Sequence, residues 1–306
     1  MLVKQGTLLL KIESAYGVDA SPIAADAILV EGEVGMSYDA VRTIEQAPEK
    51  ATLGKEEDLY AGNLVRFEFG VAMKGSGAAG TAPEIGQALR ACGLDETIVA
   101  STSVAYAPVS TAIESATIYY YHAGKLQIAL GCRGNVDLAF GTDDKIMANF
   151  SFVGKDGGDS DVAIVAGTYD STSPIAFIGA SVDVGGYAAR VSNLSLDVGN
   201  QVEFPPDANA ADGYSDIFIV DRDMTGSIDP EHTLKATEDW IGDWKSMVDK
   251  AVTTGVVGTT AGNLVQLTVP TARYRSIEFA SRNGLRSLEI PFRAVGDDSA
   301  FTLTFT

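Results

Sequence analysis

The chain has 306 residues, 46% hydrophobic and 21% charged, so it can bury a core and is not globally disordered. With 22 basic against 41 acidic side chains its formal net charge is −19, which excludes DNA binding of the usual kind, because holding phosphates takes lysine and arginine. Its 32 glycines gather in turns and between apolar runs, which favours a β-rich protein with many connections.

In chain order, residues 1–30 read as an arm. Leu8–Leu10 and Ile12 suit a strand, and the turn-rich AYGVDASPIAADA follows. Val34 to Ile44 has strand-like residues. The charged segment 45–62 (EQAPEKATLGKEEDLYAG) is longer than a compact hairpin needs and reads as a mobile or docking loop. LVRFEFGVAM from Leu64 predicts a strong strand, with Val65, Phe67 and Phe69 opposite Arg66 and Glu68. Thr81-Ala-Pro-Glu84 predicts a capping box for a helix that presents Ile85, Leu89 and Cys92 on one face and stops at Gly93. Tyr106–Ser110 reads as a turn, Thr117–His122 as an aromatic strand, and Ala123–Gly124 as the hairpin into Leu126. Gly154 to Gly186 is rich in glycine, serine and aspartate and reads as a crossing linker. A second helix is expected from Thr237, burying Trp240, Trp244 and Met247.

The segment 125–152 has an echo in 276–306. VDLAF (Val136–Phe140) aligns with LEIPF (Leu288–Phe292), and the Asp143–Asp144 turn with Asp297–Asp298. The offsets, 289−137 = 152 and 298−144 = 154, are about half the chain and point to duplication. Ile217–Val220 would then match Val65–Phe69, with 217−65 = 152, and Leu264–Val269 would take the place of Ile118–His122. Alternation puts Leu126, Ile128, Val136, Leu138, Phe150 and Phe152 on apolar faces, with Gln127, Asp137, Asn149 and Ser151 opposite. In the second copy, Glu278, Glu289, Thr302 and Thr304 oppose the apolar set. Each half thus reads as strands, loop, strand, helix, strands: mainly β (α+β), dominated by antiparallel sheet.

No catalytic constellation emerges, and no enzyme activity is expected. DRDMTGSIDPEH (Asp221–His232) imitates the early positions of an EF-hand loop. Its twelfth position is His232 instead of a bidentate glutamate, and a strand precedes it, so a turn leaving a strand is expected. Asp156, Asp159 and Asp161 read as a solvated acidic turn. Gly75, Gly77 and Gly80 lack the βαβ context of a dinucleotide site. Cys92 and Cys132 make neither a disulfide framework nor a zinc spacing, and two histidines are too few for a histidine metal cluster. No cofactor and no metal is expected. No signal-peptide layout or membrane-spanning run is evident, so a soluble product made in the cytoplasm is expected.

The order of segments KIESAYGVDASPIAADAILVEG, KGSGAAGTAPEIGQALRACGL, YAPVS, LSLDVGN and DRDMTGSIDPE resembles the major tail tube proteins of long, non-contractile-tailed bacteriophages. The resemblance implies a structural protein of the virion tail that stacks as rings into the conduit for genomic DNA. It implies two tandem β-sandwich/barrel domains, each with a flanking helix, whose sheets join those of neighbouring domains around a lumen. Two fused domains per chain imply a trimeric, pseudo-sixfold ring. On that basis the chain divides into an arm (1–30), a first domain (31–155, with loop 45–62), a linker (156–186) and a second domain (187–306). The implied partners are other copies of the chain, a tape-measure protein, and tail terminator and distal tail proteins; DNA passes without specific binding, and no membrane is involved. The polar faces are then expected to line the lumen through Gln127, Asp137, Ser151, Glu278, Glu289 and Thr304. Segments 1–26 and 45–62 are expected to order only against adjacent rings. The alternatives are a β-sandwich adhesion module recognising sugar or protein, and a terminator or baseplate hub of the same fold.

Overall fold

A computed structural model describes residues 5–39 and 41–306. The first half runs β1 (Gly6–Ile12), a 3-10 turn (Ala24–Asp26), β2 (Ala27–Ile28), β3 (Val30–Asp39), β4 (Thr43–Ile44), β5 (Leu59–Tyr60), β6 (Leu64–Ala72), α1 (Gly86–Ala91), β7 (Leu94–Val99), β8 (Ser103–Pro108), β9 (Ala116–His122), β10 (Lys125–Gly141) and β11 (Met147–Asp161). The second half runs β12 (Asp183–Val184), β13 (Tyr187–Ala188), β14 (Asn193–Asp197), β15 (Asn200–Glu203), β16 (Phe218–Arg222), β17 (Thr225–Ile228), α2 (Trp240–Lys245), β18 (Lys250–Thr253), β19 (Val257–Thr260), β20 (Asn263–Tyr274), β21 (Glu278–Arg282), β22 (Leu285–Ala294) and β23 (Thr302–Phe305). The protein is mainly β, as alternation predicts, with one short helix in each half.

One run of antiparallel neighbours crosses both halves: β3-β6-β11-β10-β14-β17-β22-β21. Its first four strands and its last four follow the same order. The strand that comes fourth in each half's sequence lies third in space, and the third comes to lie on the outside. In the second half, β20 and β21 lie end to end along β22, pairing Tyr274 with Phe292 and Glu278 with Glu289. They do jointly what β10 does alone. This register corrects the alignment expected from sequence. Asp137 and Glu289 lie on non-equivalent strands, because LEIPF occupies the place of NFSF rather than of VDLAF. Thr225–Ile228, not Ile217–Val220, sits where β6 does, and Leu264–Val269 belongs to β20, beyond the hairpin.

β10 serves two layers. Its first part lies between β9 and the far end of β11, and its last part between β14 and the near end of β11. The change of layer falls at a register shift beside Gly131, which has φ +61 and is packed so closely on Tyr16 that a Cβ would meet the ring at 2.7 Å. Traced through all ladders, the strands branch but no ladder returns to an earlier strand. Among the described residues no ring of ladders closes within the chain, and the strands make an open, folded-over sheet. The halves also interlock, since β8 of the first half pairs with β23 of the second.

The inner face of the run buries Phe67, Phe69, Leu138, Phe150, Phe152, Leu196, Ile228, Ile290 and Phe292 in one core. Helix α1 adds Ala88 and Leu89 to it, and Ile85 and Cys92 are buried as expected. The capping box does not form. Ile85 is the N-cap, and Glu84 instead pairs with the buried Lys74 at 2.8 Å. Helix α2 is capped by Asp239, whose carboxylate accepts from the Gly242 N–H at 3.0 Å. It buries Trp240 but ends before Met247, which is 62% exposed, so the expected three-residue face is only partly realised. Tyr106 is wholly buried within β8 rather than in a turn.

Gly6–Ile12 corrects the expected arm. It pairs along its whole length with β9, and Leu8, Leu9 and Leu10 are at most 2% exposed. Each such leucine is worth about 1.5–3 kcal/mol when buried, so this segment holds without a neighbouring ring. Met1–Lys4 of that expectation lie outside the described residues. The loop expectation fares differently: β4 and β5 close a two-pair ladder at its base, and residues 45–60 are exposed throughout.

Candidate functional site

The outward face of the eight-strand run is a polar surface that spans both halves. Directly opposed residues share a face, so the ladders read it out in rows. One row is Gly70, Asn149, Asp137, Asp197, Thr225 and Arg293; the next includes Ala139, Ser195, Ser227 and Pro291. Glu278 faces Glu289 at the far edge, and Glu68 faces Ser151 and Gly35 near the other. The side chains are mostly small or acidic.

Hydrogen bonds knit this face within each half and across their junction. Asn135 Nδ2 donates to Asp197 at 2.6 Å, and Ser195 and Ser227 hydroxyls lie 2.9 Å apart. Asn149 Nδ2 reaches Asp137 at 3.5 Å. Partial burial, with the Asp197 charge across the ladder, pushes the Asp137 carboxyl above the usual carboxylate range, against the Asn149 bond. The face is not free of cations. Arg66 lies 3.4 Å from the Ser151 hydroxyl, and Arg293 pairs with Asp223 at 2.5 Å.

Asp137, Ser151, Glu278 and Glu289 all lie on this face, as their alternation predicts. Gln127 does not. It is 3% exposed, on the part of β10 beside β9, and its amide donates to Asp156 at 3.0 Å. Thr304 lies on β23 between β20 and β8, outside the run. Sequence reading missed Asp197, Ser195, Thr225 and Ser227. Their strands are only five and four residues long, but LSLDV and TGSI carry the two-residue alternation that marks them.

The EF-hand-like stretch is a strand, a turn and a strand, as the missing twelfth ligand implies. Its carboxylates are engaged elsewhere: Asp223 with Arg293, and Asp229 with the Ser192 and Asn193 N–H groups and Arg282. Among the described residues no three His, Cys, Asp or Glu side chains gather as metal ligands would. Cys92 and Cys132 are buried free thiols, with pKa pushed up by burial.

The two ends of the run are open. β3 pairs only with β6, and β21 only with β22, among the described residues. At these edges Phe279 is 58% and Tyr38 51% exposed. An open edge of this kind is a template for another strand.

No curated protein matches the chain. Residues 4–301 match the family described as phage tail tube protein. That is nearly the whole sequence, and the chain belongs to this family of structural phage tail proteins.

Proposed function

We propose that the chain is a building block of the tail tube of a long, non-contractile-tailed phage, assembling head to tail into rings that stack around a channel for DNA. The observation that carries this reading is the eight-strand run: two halves with one strand order, already joined edge to edge within a single chain, and an unpaired edge at each end. The shared order supports a duplicated tube domain, with units at 31–155 and 187–306. A chain that already holds one such junction needs three copies to make a ring of six like units. The rows around Asp137, Ser151, Glu278 and Glu289 are the proposed lining. Across the face, Glu31, Glu68, Asp137, Asp197, Glu278 and Glu289 outnumber Arg66, Arg133, Arg282 and Arg293, of which Arg282 and Arg293 are already paired with Asp229 and Asp223, and this balance favours passage of a polyanion without capture. Rings stacked in this way would have a tape-measure protein inside and terminator and distal proteins at the ends.

Electron microscopy of the purified protein at increasing concentration tests this. Hollow tubes whose cross-section averages as three two-lobed subunits are expected. A protein that stays monomeric at every concentration tested, or forms solid aggregates only, removes the reading.

A further inference from the structure

The chain contains one junction between halves whose register is visible, and this template assigns the register of the junction between copies. Leu138 of β10 faces Leu196 of β14 there. Leu138 also faces Ala148, four residues before Phe152, and Phe152 faces Phe67, which faces Met36. In the second half Phe279 faces Leu288, four residues before Phe292, and Phe292 faces Gly226, which faces Leu196. Step for step, Phe279 stands where Leu138 does and Met36 stands where Leu196 does.

The burial pattern agrees. Leu138 and Leu196 are fully buried because each covers the other's edge. Phe279 is 58% exposed and Met36 is half-buried, each lacking that neighbour. We propose that β21 of one copy adds antiparallel to β3 of a second copy with Phe279 opposite Met36. The same register sets Glu278 opposite Ser37 and Ala280 opposite Gly35, and it brings Arg282 toward Glu33. It therefore continues the core on one face and the small, polar rows on the other. A slip of one residue would turn Phe279 onto the polar face, because side chains alternate. Arg282 beside Glu33 adds opposite charge at the end of the ladder, a pairing that a two-residue slip would lose.

This register rests on the ring reading, and disulfide trapping separates the two. Directly opposed Cβ atoms lie about 4.5–5.5 Å apart and diagonal ones about 7–8 Å, so only an opposed pair approaches disulfide geometry. The native thiols at Cys92 and Cys132 are buried and do not compete. Assembled protein carrying Ser37→Cys with Glu278→Cys, or Gly35→Cys with Ala280→Cys, is oxidised and run on a denaturing gel. Covalent ladders are expected from both, and at least about tenfold less from Ser37→Cys with Ala280→Cys. Tubes in the microscope whose ladder comes only from the offset pair would overturn the register and leave the ring reading intact. Absence of any assembly from the unsubstituted protein would overturn both. Phe279→Asp gives a second readout: it should stop assembly while leaving the melting temperature of the monomer unchanged within about 2 °C, since the side chain is exposed there. Normal assembly of that variant would overturn the proposal.

Discussion

Glu13 shows how a single side chain holds the bend on which the fold depends. Its buried carboxylate accepts from the Ser115 and Thr117 hydroxyls at 2.6 and 2.9 Å and from the Gly17 and Gly131 N–H groups at 2.7 Å each. The Gly131 donor sits at the point where β10 changes layer. Leaving a buried donor unmet costs about 1–3 kcal/mol. Glu13→Ala should therefore lower unfolding stability by at least about 3 kcal/mol, read as a lower denaturant midpoint at unchanged slope. Asp137 predicts a pH effect of opposite character. Its folded pKa lies above its ordinary value of 3.8, so the folded state holds this proton more tightly than the unfolded state. Stability contributed by the group is greatest below that ordinary value and falls as pH rises through the interval up to the folded pKa. Asp137→Asn should flatten this fall and raise the melting temperature at neutral pH, measured against acid conditions in the same buffer series. Neither role shows in the sequence. Glu13 follows a run of apolar residues with nothing to mark its distant donors, and Asp137 is perturbed first by burial and then by Asp197, sixty residues away.

The strands and helices are unevenly legible in the sequence, for identifiable reasons. Long alternating segments such as LVRFEFGVAM declared themselves, because one buried face imposes a two-residue period. The Tyr106 strand did not, since Pro108 and the small residues around it resemble a turn. The capping motif at Thr81–Glu84 misled because Glu84 had a stronger partner in Lys74, which is buried and must be paired. The hairpin arm at 45–60 makes the clearest prediction at this scale. Its residues are exposed, Leu53 completely, and its ion pairs, Lys50 with Glu56 and Lys55 with Glu45, lie within the arm itself. Deleting residues 47–58 should leave the folded protomer soluble, with unchanged circular dichroism, yet block long tubes if this arm docks on the next ring. Full-length tubes from the deletion would remove that role.

At the level of the whole molecule, the proposed function gives the face and the edges different jobs: the face would govern what slides past, and the edges what joins. Asp137→Lys with Glu289→Lys places cations on the proposed lining, on β10 and β22 rather than on the edge strands β3 and β21. Tubes should form normally, while genome ejection from phage carrying the variant slows, and more so at low salt because the attraction is then less screened. Unchanged ejection kinetics would show that these side chains do not face the passing DNA. The paired halves explain why such a face can be continuous. At the junction Asp197 accepts from Asn135 and Asp137 from Asn149, so each of the two opposed carboxylates has its own amide donor.

Composition and alternation alone determined that this is an acidic, mainly β chain with a polar face, because net charge and a two-residue period are local properties of the sequence. The order of segments was enough to suggest the family. Which strands are equivalent was decided only in the tertiary structure. Leu138 and Phe279, or Leu196 and Met36, share a place in the sheet rather than a residue type, and a strand divided into β20 and β21 shifts every offset along the chain. The pairing ladders define a position in the sheet, whereas offsets of half the chain length record only where similar short patterns recur.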